Sequence, residues 1–178
     1  MSLRRASAYT RSANRPYTRN SRQKSKAYIK TIPHVKLAKF HIGALKDFEA
    51  GKHTHIVRLS CLEDAQVRDN ALEACRMYLT KILDEQAIGQ YYLAVKVFPH
   101  HFQRENKTAA GAGADRISSG MSHSFGMIIA RAAMVAKGKD IFLISCTNEK
   151  IARIARDTLA KIRAKIPCRT RIIFEKIK

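Results

Sequence analysis

The sequence predicts an α+β fold, in which a mixed, largely antiparallel sheet carries two helices packed on one face. In several segments apolar residues recur at every second position, as in strands, and in two others at every third or fourth position, as in helices. A basic N-terminal extension, residues 1–33, comes before them. With 178 residues and 46% hydrophobic content, residues 34–178 can form a single domain with its own core and a long internal loop, 99–126.

The strands are predicted from alternation of apolar and polar residues. It is clearest in residues 54–61, where Val57, Leu59 and Cys61 share one face of an extended chain. The run 127–136 is rich in alanine, which favours a helix, but its length and the glycines that bound it favour a strand. The predicted strands are residues 35–42, 54–61, 91–98, 127–136, 141–146 and 169–177.

Two helices are predicted from apolar stripes and their end signals. Ser60 and Glu63 have the spacing of a capping box, and the apolar residues that follow fit a helix over residues 63–85. Asn148 can cap the second helix, and Pro167 ends it because proline does not continue a helix. Each helix has one apolar stripe, so both are expected to lie on the sheet.

The formal net charge of +20 is distributed unevenly along the chain. Residues 1–46 contain twelve Lys and Arg and no acid, residues 47–98 contain six cations and eight acids, and residues 99–178 contain sixteen cations and six acids. Both ends therefore suit a polyanion. The acidic face of the first helix, which includes Asp69 and Glu73, is expected to point away from that partner.

The arm is expected to bind RNA rather than a membrane, because tyrosines lie among its cations. Bases stack on aromatic faces while guanidinium groups bind phosphate. A transit peptide is disfavoured because Pro16 and scattered apolar residues leave no amphipathic stripe, and a merely solvated tail stays open. The expected RNA-binding residues are Arg4, Arg5, Arg11, Arg15, Tyr17, Arg19, Arg22, Lys24, Lys26 and Lys30 in the arm, and Arg153, Arg156, Lys161, Arg163 and Lys165 near the second helix.

The internal loop, residues 99–126, is a second candidate binding segment. It contains four glycines, which allow close backbone approach, together with three cations and three histidines. The cations can neutralise phosphate, so the loop is expected to order against RNA. A loop of this size is usually functional or disordered, and a plain surface loop is the alternative.

Signatures of enzymes, metal sites and membrane spans are weak. Gly111-x-Gly113 lacks the third glycine of a dinucleotide motif, and no cysteine or carboxylate cluster accompanies the histidine pairs, so neither cofactor nor metal is expected. No apolar run reaches the length of a membrane span. The four cysteines lack C-x-x-C spacing and are expected to be small core residues in a reducing compartment.

Four segments of the chain carry a resemblance to a known family: "RPYTR" (15–19), "IPHVKLAKFHIG" (32–43), "VKVFPHHFQRENK" (95–107) and "GAGADRISSGMSHSFG" (111–126). They resemble the large-subunit ribosomal proteins called L-ten-e in archaea and eukaryotes and L-sixteen in bacteria. The similarity covers nearly the whole chain, and the length of the chain resembles the archaeal form. The glycine-rich segment is specific to the archaeal and eukaryotic branch.

The resemblance implies a place in the large ribosomal subunit near the peptidyl transferase centre, and a strand for residues 127–136. The family binds rRNA beside the aminoacyl-tRNA site, and its internal loop, here 100–121, approaches tRNA acceptor ends. Ser122 and Met127 stand where many members have Arg and Lys. The expected tRNA-facing residues are His100, His101, Arg104, Lys107, Gly111, Gly113, Arg116 and Met121.

The function expected from charge pattern and resemblance is binding rather than bond-making. The expected partners are large-subunit rRNA, tRNA acceptor ends and neighbouring ribosomal proteins, without a membrane. The protein is expected in the cytoplasm, in the ribosome, and as a monomer when isolated. Two alternatives stay open. One is an RNA-acting enzyme with His100, His101 and His123 as its active site, and the other is an RNA chaperone outside the ribosome.

Overall fold

The computed structural model describes residues 17–18, 21–23, 25–27, 29–106, 116, 118 and 125–177. Within these residues the fold has two antiparallel sheets and three α-helices, which confirms the predicted α+β class. The elements are β1 (His41–Gly43), α1 (Leu45–Glu49), β2 (His55–Cys61), β3 (Ala65–Arg68), α2 (Asp69–Ala87), β4 (Tyr91–Val95), β5 (His101–Glu105), β6 (Met127–Val135), β7 (Asp140–Cys146), α3 (Glu149–Ile162), a 3₁₀ turn (Arg163–Lys165) and β8 (Thr170–Lys176).

The larger sheet has five strands in the order β1-β4-β7-β2-β8. Ile144 in the central strand lies opposite Leu93 on one side and Val57 on the other, and all three side chains are fully buried. They share a core with Leu79 of α2 and Leu159 of α3. Because side chains alternate across a strand, both long helices cover the same face of this sheet, in agreement with the prediction.

The smaller sheet, in the order β3-β6-β5, corrects the prediction of a single sheet. Its central strand β6 pairs with β3, where Val67 lies opposite Ala133, and with β5, where Phe102 lies opposite Arg131. The strand predicted at residues 127–136 is therefore confirmed, but its neighbours are two short strands. Strand β5 lacks the alternation that reveals a strand in sequence, and in β3 the alternation covers only the four residues Ala65–Arg68.

The predicted start of the first helix is wrong. The chain forms β3 after Glu63, and α2 begins only at Asp69, with Arg68 as an N-cap that makes no side-chain capping bond. The Ser60–Glu63 pair therefore does not cap a helix. Pairing with β6 holds residues 65–68 extended, because tertiary pairing overrides a local pattern.

The second helix follows the prediction closely. Asn148 is its N-cap residue, although the Asn148 side-chain amide donates to Gln90 Oε1 at 3.3 Å instead of capping the helix. The predicted stripe is buried on the sheet, and a 3₁₀ turn replaces the last helical turn before Pro167. The buried stripe includes Ile151, Ala155, Leu159 and Ile162.

The cysteines lie largely in the core, as predicted. Cys61, Cys75 and Cys146 are buried, and burial raises the pKa of the Cys75 and Cys146 thiols to about 12. The sequence did not reveal that Cys168, which is half-buried, has its Sγ 3.0 Å from Cys61 Sγ. None of the described helices combines the length and apolar content that crossing a bilayer requires.

Candidate nucleic-acid interface

An extended strap, residues 33–40, follows the arm at the start of the domain. The sequence predicts a strand over 35–42, but only β1 at its end pairs with another strand. The Lys36 N–H donates to Asp69 Oδ2 and the Ala38 N–H donates to Glu73 Oε2, each at 3.1 Å. Carboxylates from one turn of α2 thus replace the partner strand, and this is why the alternation is irregular there.

The two carboxylates that hold the strap correct the prediction of an outward acidic face. The Asp69 side chain is buried, and its second oxygen accepts the Asn70 N–H at 2.8 Å. Glu73 also accepts from the Arg76 guanidinium, which lowers the pKa of the Glu73 carboxyl. These acids therefore fix backbone inside the molecule, and they leave Lys36 and Lys39 exposed on the strap.

Tyr17, at the other end of the described arm, lies along the outer edge of β5. The Tyr17 N–H donates to His101 Nδ1 at 2.8 Å, and the Phe102 N–H donates to the Tyr17 carbonyl at 3.2 Å. Burial, together with the neighbouring Arg104 cation, lowers the pKa of His101, so the ring is neutral near pH 7 and can accept this bond. The structure thus joins an arm residue to residues predicted in the loop.

Two guanidinium groups that lie over aromatic rings extend this attachment of the arm across the small sheet. The Arg104 guanidinium lies 4.1 Å from the centre of the Tyr17 ring, and that of Arg131 lies 5.1 Å from the centre of the Phe102 ring. Arg131 Nε also donates to the Pro33 carbonyl at 2.8 Å. The arm is therefore attached to the β5–β6 hairpin at two places, Tyr17 and Pro33.

The predicted loop 99–126 contains β5, which the sequence analysis did not predict. The remaining connection, residues 106–126, joins two paired strands, because Glu105 lies opposite Met127. Gly126 has φ +86°, and a Cβ there would lie 2.7 Å from the Glu105 carbonyl carbon. Only glycine fits at this position. We call the place where the two ends of the connection meet, at Glu105 and Gly126, the neck of the loop, and Phe125 beside it is 74% exposed.

A short aromatic row lies at the start of the same segment. Phe98 stacks on Phe40 with ring centres 5.4 Å apart, and His100 packs at 4.5 Å on Phe98. His100 and Phe98 are both exposed. The row presents flat faces beside the strap cations, as a surface for unpaired bases requires.

The cations of α3 form a second basic surface, on the helix layer that covers the larger sheet. Arg153 pairs with Glu149 at 2.7 Å, and Arg156 lies 3.3 Å from Asp157, all four side chains being exposed. Exposed pairs of this kind contribute little, so phosphate can displace them. Lys161 and Arg163 are exposed, and the Lys165 ammonium lies 5.4 Å from the Tyr78 ring centre.

The structure places some predicted site residues and does not describe others. Arg22, Lys26, Lys30 and Arg116 are exposed, whereas Ala27 and Ile29 between them are buried. The α3 cations are distant in sequence from the arm, and the described contacts do not join them to it. Arg4, Arg5, Arg11, Arg15, Arg19, Lys24, Lys107, Gly111, Gly113 and Met121 lie outside the described residues.

Sequence reasoning missed the residues that connect the arm to the hairpin. Arg131 interrupts the apolar run 127–136, and in the sequence it counts only against a membrane span. A cation in the middle of a buried strand needs a partner, and that signal could have identified it. Asp69 and Glu73, four residues apart on one helical face, gave a similar signal for a pair of acceptors.

An α+β fold whose cations gather on an arm, a hairpin and a helix is typical of a protein that binds a polyanion such as RNA. The family model described as "Ribosomal protein L16p/L10e" matches residues 13–173. The chain belongs to this family, as the four sequence segments predicted. It is a ribosomal protein and not an enzyme, so the alternative of an RNA-acting enzyme is excluded.

Curated relatives agree with the family along nearly the full chain. The large ribosomal subunit protein uL16 of Staphylothermus marinus is 36% identical over 100% of this chain and 97% of that protein. The uL16 proteins of Caldivirga maquilingensis and Thermofilum pendens are each 38% identical, covering 97% and 98% of this chain and 94% and 98% of their own lengths.

Proposed function

We propose that this chain is a constituent of the large ribosomal subunit that binds rRNA through its arm and helix α3. The arm comprises residues 1–33, and residues 34–178 form the domain that carries it. On this proposal the connection between β5 and β6 faces the acceptor ends of tRNA near the peptidyl transferase centre. The protein orients RNA, and the chemistry of peptide transfer belongs to RNA.

The observation that carries the proposal is the attachment of Tyr17 to β5. It brings the predicted rRNA-binding arm and the predicted tRNA-facing segment to one hairpin. A guanidinium stacked on an aromatic ring keeps its N–H edge available, so Arg104 can still bind phosphate while it packs on Tyr17. The position of RNA on the arm is thereby linked to the position of the loop.

The cations support a binding mode that reads backbone rather than sequence. Lys26, Lys30, Lys36 and Lys39 are exposed along the arm and strap. Lysine and arginine that neutralise phosphates release counterions, which makes binding depend steeply on salt. About eight such contacts give a slope of log affinity against log salt of about −6 to −7.

The first test measures this slope with deproteinised large-subunit RNA. We compare the full chain with a variant in which Arg22, Lys26 and Lys30 become Gln. Deletion up to Thr31 is a poorer choice, because it removes the buried Ala27 and Ile29. A control with the same loss of charge replaces three exposed lysines outside the arm and the strap: Lys46, Lys52 and Lys81.

The arm variant is expected to have a shallower slope by about 2 to 3 and weaker binding, whereas the control retains most of its affinity. Equal behaviour of the two variants would remove the arm from the proposed interface.

For the tRNA-facing loop, a photocrosslinking amino acid at Arg116 in assembled subunits should label tRNA acceptor ends. Crosslinks confined to rRNA would contradict that part of the proposal.

A further inference from the structure

Four exposed cations from two distant segments meet at one end of the two sheets. Lys137 and Lys139 lie in the turn between β6 and β7, and Arg169 and Arg171 lie at the start of β8. We call these four residues the basic end. None of them belongs to the arm, the loop or α3, so the proposed function does not use them.

Backbone hydrogen bonds hold the two segments on either side of the end of β2. The Cys61 N–H donates to the Lys139 carbonyl at 2.9 Å, and the Gly138 N–H donates to the Cys61 carbonyl at 2.7 Å. On the other side, the Leu62 N–H donates to the Arg169 carbonyl at 2.9 Å. With one strand between them, the backbones of Lys139 and Arg169 lie about 10 Å apart.

The acids nearest to the basic end accept hydrogen bonds from its backbone and not from its cationic side chains. Glu63 Oε1 accepts the Arg169 N–H at 2.7 Å, and Asp64 Oδ1 accepts the Lys137 N–H at 2.8 Å. Arg58 lies 3.4 Å from Asp140. Over the part of the chain that the structure describes, no ion pair involves any of the four cationic side chains.

The basic end is distant from the neck of the loop. Strand β6 runs from Met127 at the neck to Val135 beside the turn, and nine extended residues span about 30 Å. An RNA segment bound at the neck is therefore different from one bound at the basic end. Neither cation segment, 137–139 or 169–171, contains an aromatic residue on which a base could stack.

We propose that the basic end binds the phosphate backbone of an RNA duplex, separate from the RNA bound by the arm and loop. Duplex RNA is recognised mainly through its shape, phosphates and hydroxyl groups, and cations without aromatic faces suit that surface. The inference rests on the proposed function, because both assume an RNA partner. It adds a second site and the kind of RNA that this site takes.

The test uses the full chain and a variant in which Lys137, Lys139, Arg169 and Arg171 become Gln. The control variant replaces four exposed lysines with Gln and so loses the same charge: Lys46, Lys52, Lys81 and Lys176. The probes are an RNA duplex of mixed sequence, a single strand of equal length, and vesicles rich in anionic lipid. Circular dichroism and thermal melting establish that both variants fold.

The variant of the basic end is expected to lose duplex affinity roughly tenfold or more relative to the control, with a salt slope shallower by about 3 to 4. Its affinity for the single strand should equal that of the control. Equal duplex affinity in the two variants would overturn the proposal, and so would a loss confined to vesicles or shared equally by the single strand. The Arg22, Lys26 and Lys30 variant tests the proposed function separately, so failure of one proposal is distinguishable from failure of the other.

Discussion

At the residue scale, the joint between arm and hairpin depends on a neutral histidine. The Tyr17 N–H donates to His101 Nδ1, and protonation of that nitrogen replaces the acceptor with a second donor. The pKa of His101 is lowered in the fold, by burial first and by Arg104 second. The folded state therefore binds the proton more weakly than the unfolded chain does, and its stability falls as pH falls below about 6.5.

We expect a His101→Asn variant to lose this component of the pH dependence. The Asn carbonyl oxygen can replace Nδ1 as acceptor and does not titrate. Urea unfolding between pH 8 and pH 5.5 measures the difference, which should reach about 1 kcal/mol, the value of one hydrogen bond. His53, whose pKa burial also lowers, contributes equally to both proteins. Parallel stability curves for the two proteins would contradict the role assigned to His101.

Gly126 provides a second residue-scale prediction, because it combines a positive φ with a close backbone contact. Alanine at Gly126 would strain the backbone and place its Cβ 2.7 Å from the Glu105 carbonyl carbon. Gly89 is the matched control, with φ +72° and no atom within 4 Å of the position that an added Cβ would take. We expect Gly89→Ala to destabilise by about 1 to 2 kcal/mol, the left-handed strain alone, and Gly126→Ala by roughly twice as much.

Urea unfolding gives the two free energies, and limited proteolysis reports on the neck. Cleavage within residues 106–126 should be faster in Gly126→Ala, because the strands that hold the connection separate more often. The same cleavage in Gly89→Ala should match the parent. If both substitutions lower the free energy of unfolding equally, the contact between the added Cβ at position 126 and Glu105 does not contribute to the loss of stability.

At the element scale, helix α2 positions the strap through the pair Asp69 and Glu73. We expect Glu73→Ala to destabilise the fold by about 0.5 to 1.5 kcal/mol, the net value of a hydrogen bond, because the exposed Ala38 N–H must bond to water instead and Arg76 loses its partner. Hydrogen exchange should then accelerate at Ala38. Glu85→Ala, at an exposed position of the same helix, is the control and should leave that amide unchanged. Unaltered protection of Ala38 in Glu73→Ala would show that another group holds the strap.

The sequence predicted an element correctly when the signals for it lie within that segment, and missed it when it depends on pairing with a distant segment. Helix α3 has its apolar stripe and its cap residue within one segment, so local periodicity was sufficient. Strand β3 is four residues long and depends on β6, which lies more than sixty residues further on. The helical pattern beginning near Glu63 masked it, and no local signal marks the change at Asp69.

The sequence predicted which residue types make up the candidate interface, but it did not predict how the arm is attached to the domain. The charge of the arm and the glycines of the loop are visible in sequence, and the resemblance to the family related both to RNA. The attachment of Tyr17 to β5 was not visible, because β5 has polar residues at most positions and only Phe102 is buried. Edge strands of this kind resemble loops in composition, so the long connection was predicted without its strand.

At the scale of the whole molecule, exposed cations surround a core whose stability does not depend on them. The carboxylates nearest to the strap and the basic end bind backbone N–H groups. Many exposed cations are thus left to repel one another, and the net charge of +20 measures that repulsion. A polyanion relieves it, so the same charges that destabilise the free protein stabilise its complex.

This balance predicts salt effects of opposite sign on the free and the bound protein. Raising salt from about 0.05 M to about 0.5 M shortens the screening length severalfold, which weakens repulsion between exposed cations. The Tm of the free protein should therefore rise by a few degrees.

With RNA present, the same salt releases the RNA and removes its stabilisation, so the Tm of the complex should fall toward that of the free protein. Thermal melting with and without an RNA duplex measures both. A free protein whose Tm falls with salt would show that attractive ion pairs, rather than repulsion among cations, dominate its surface.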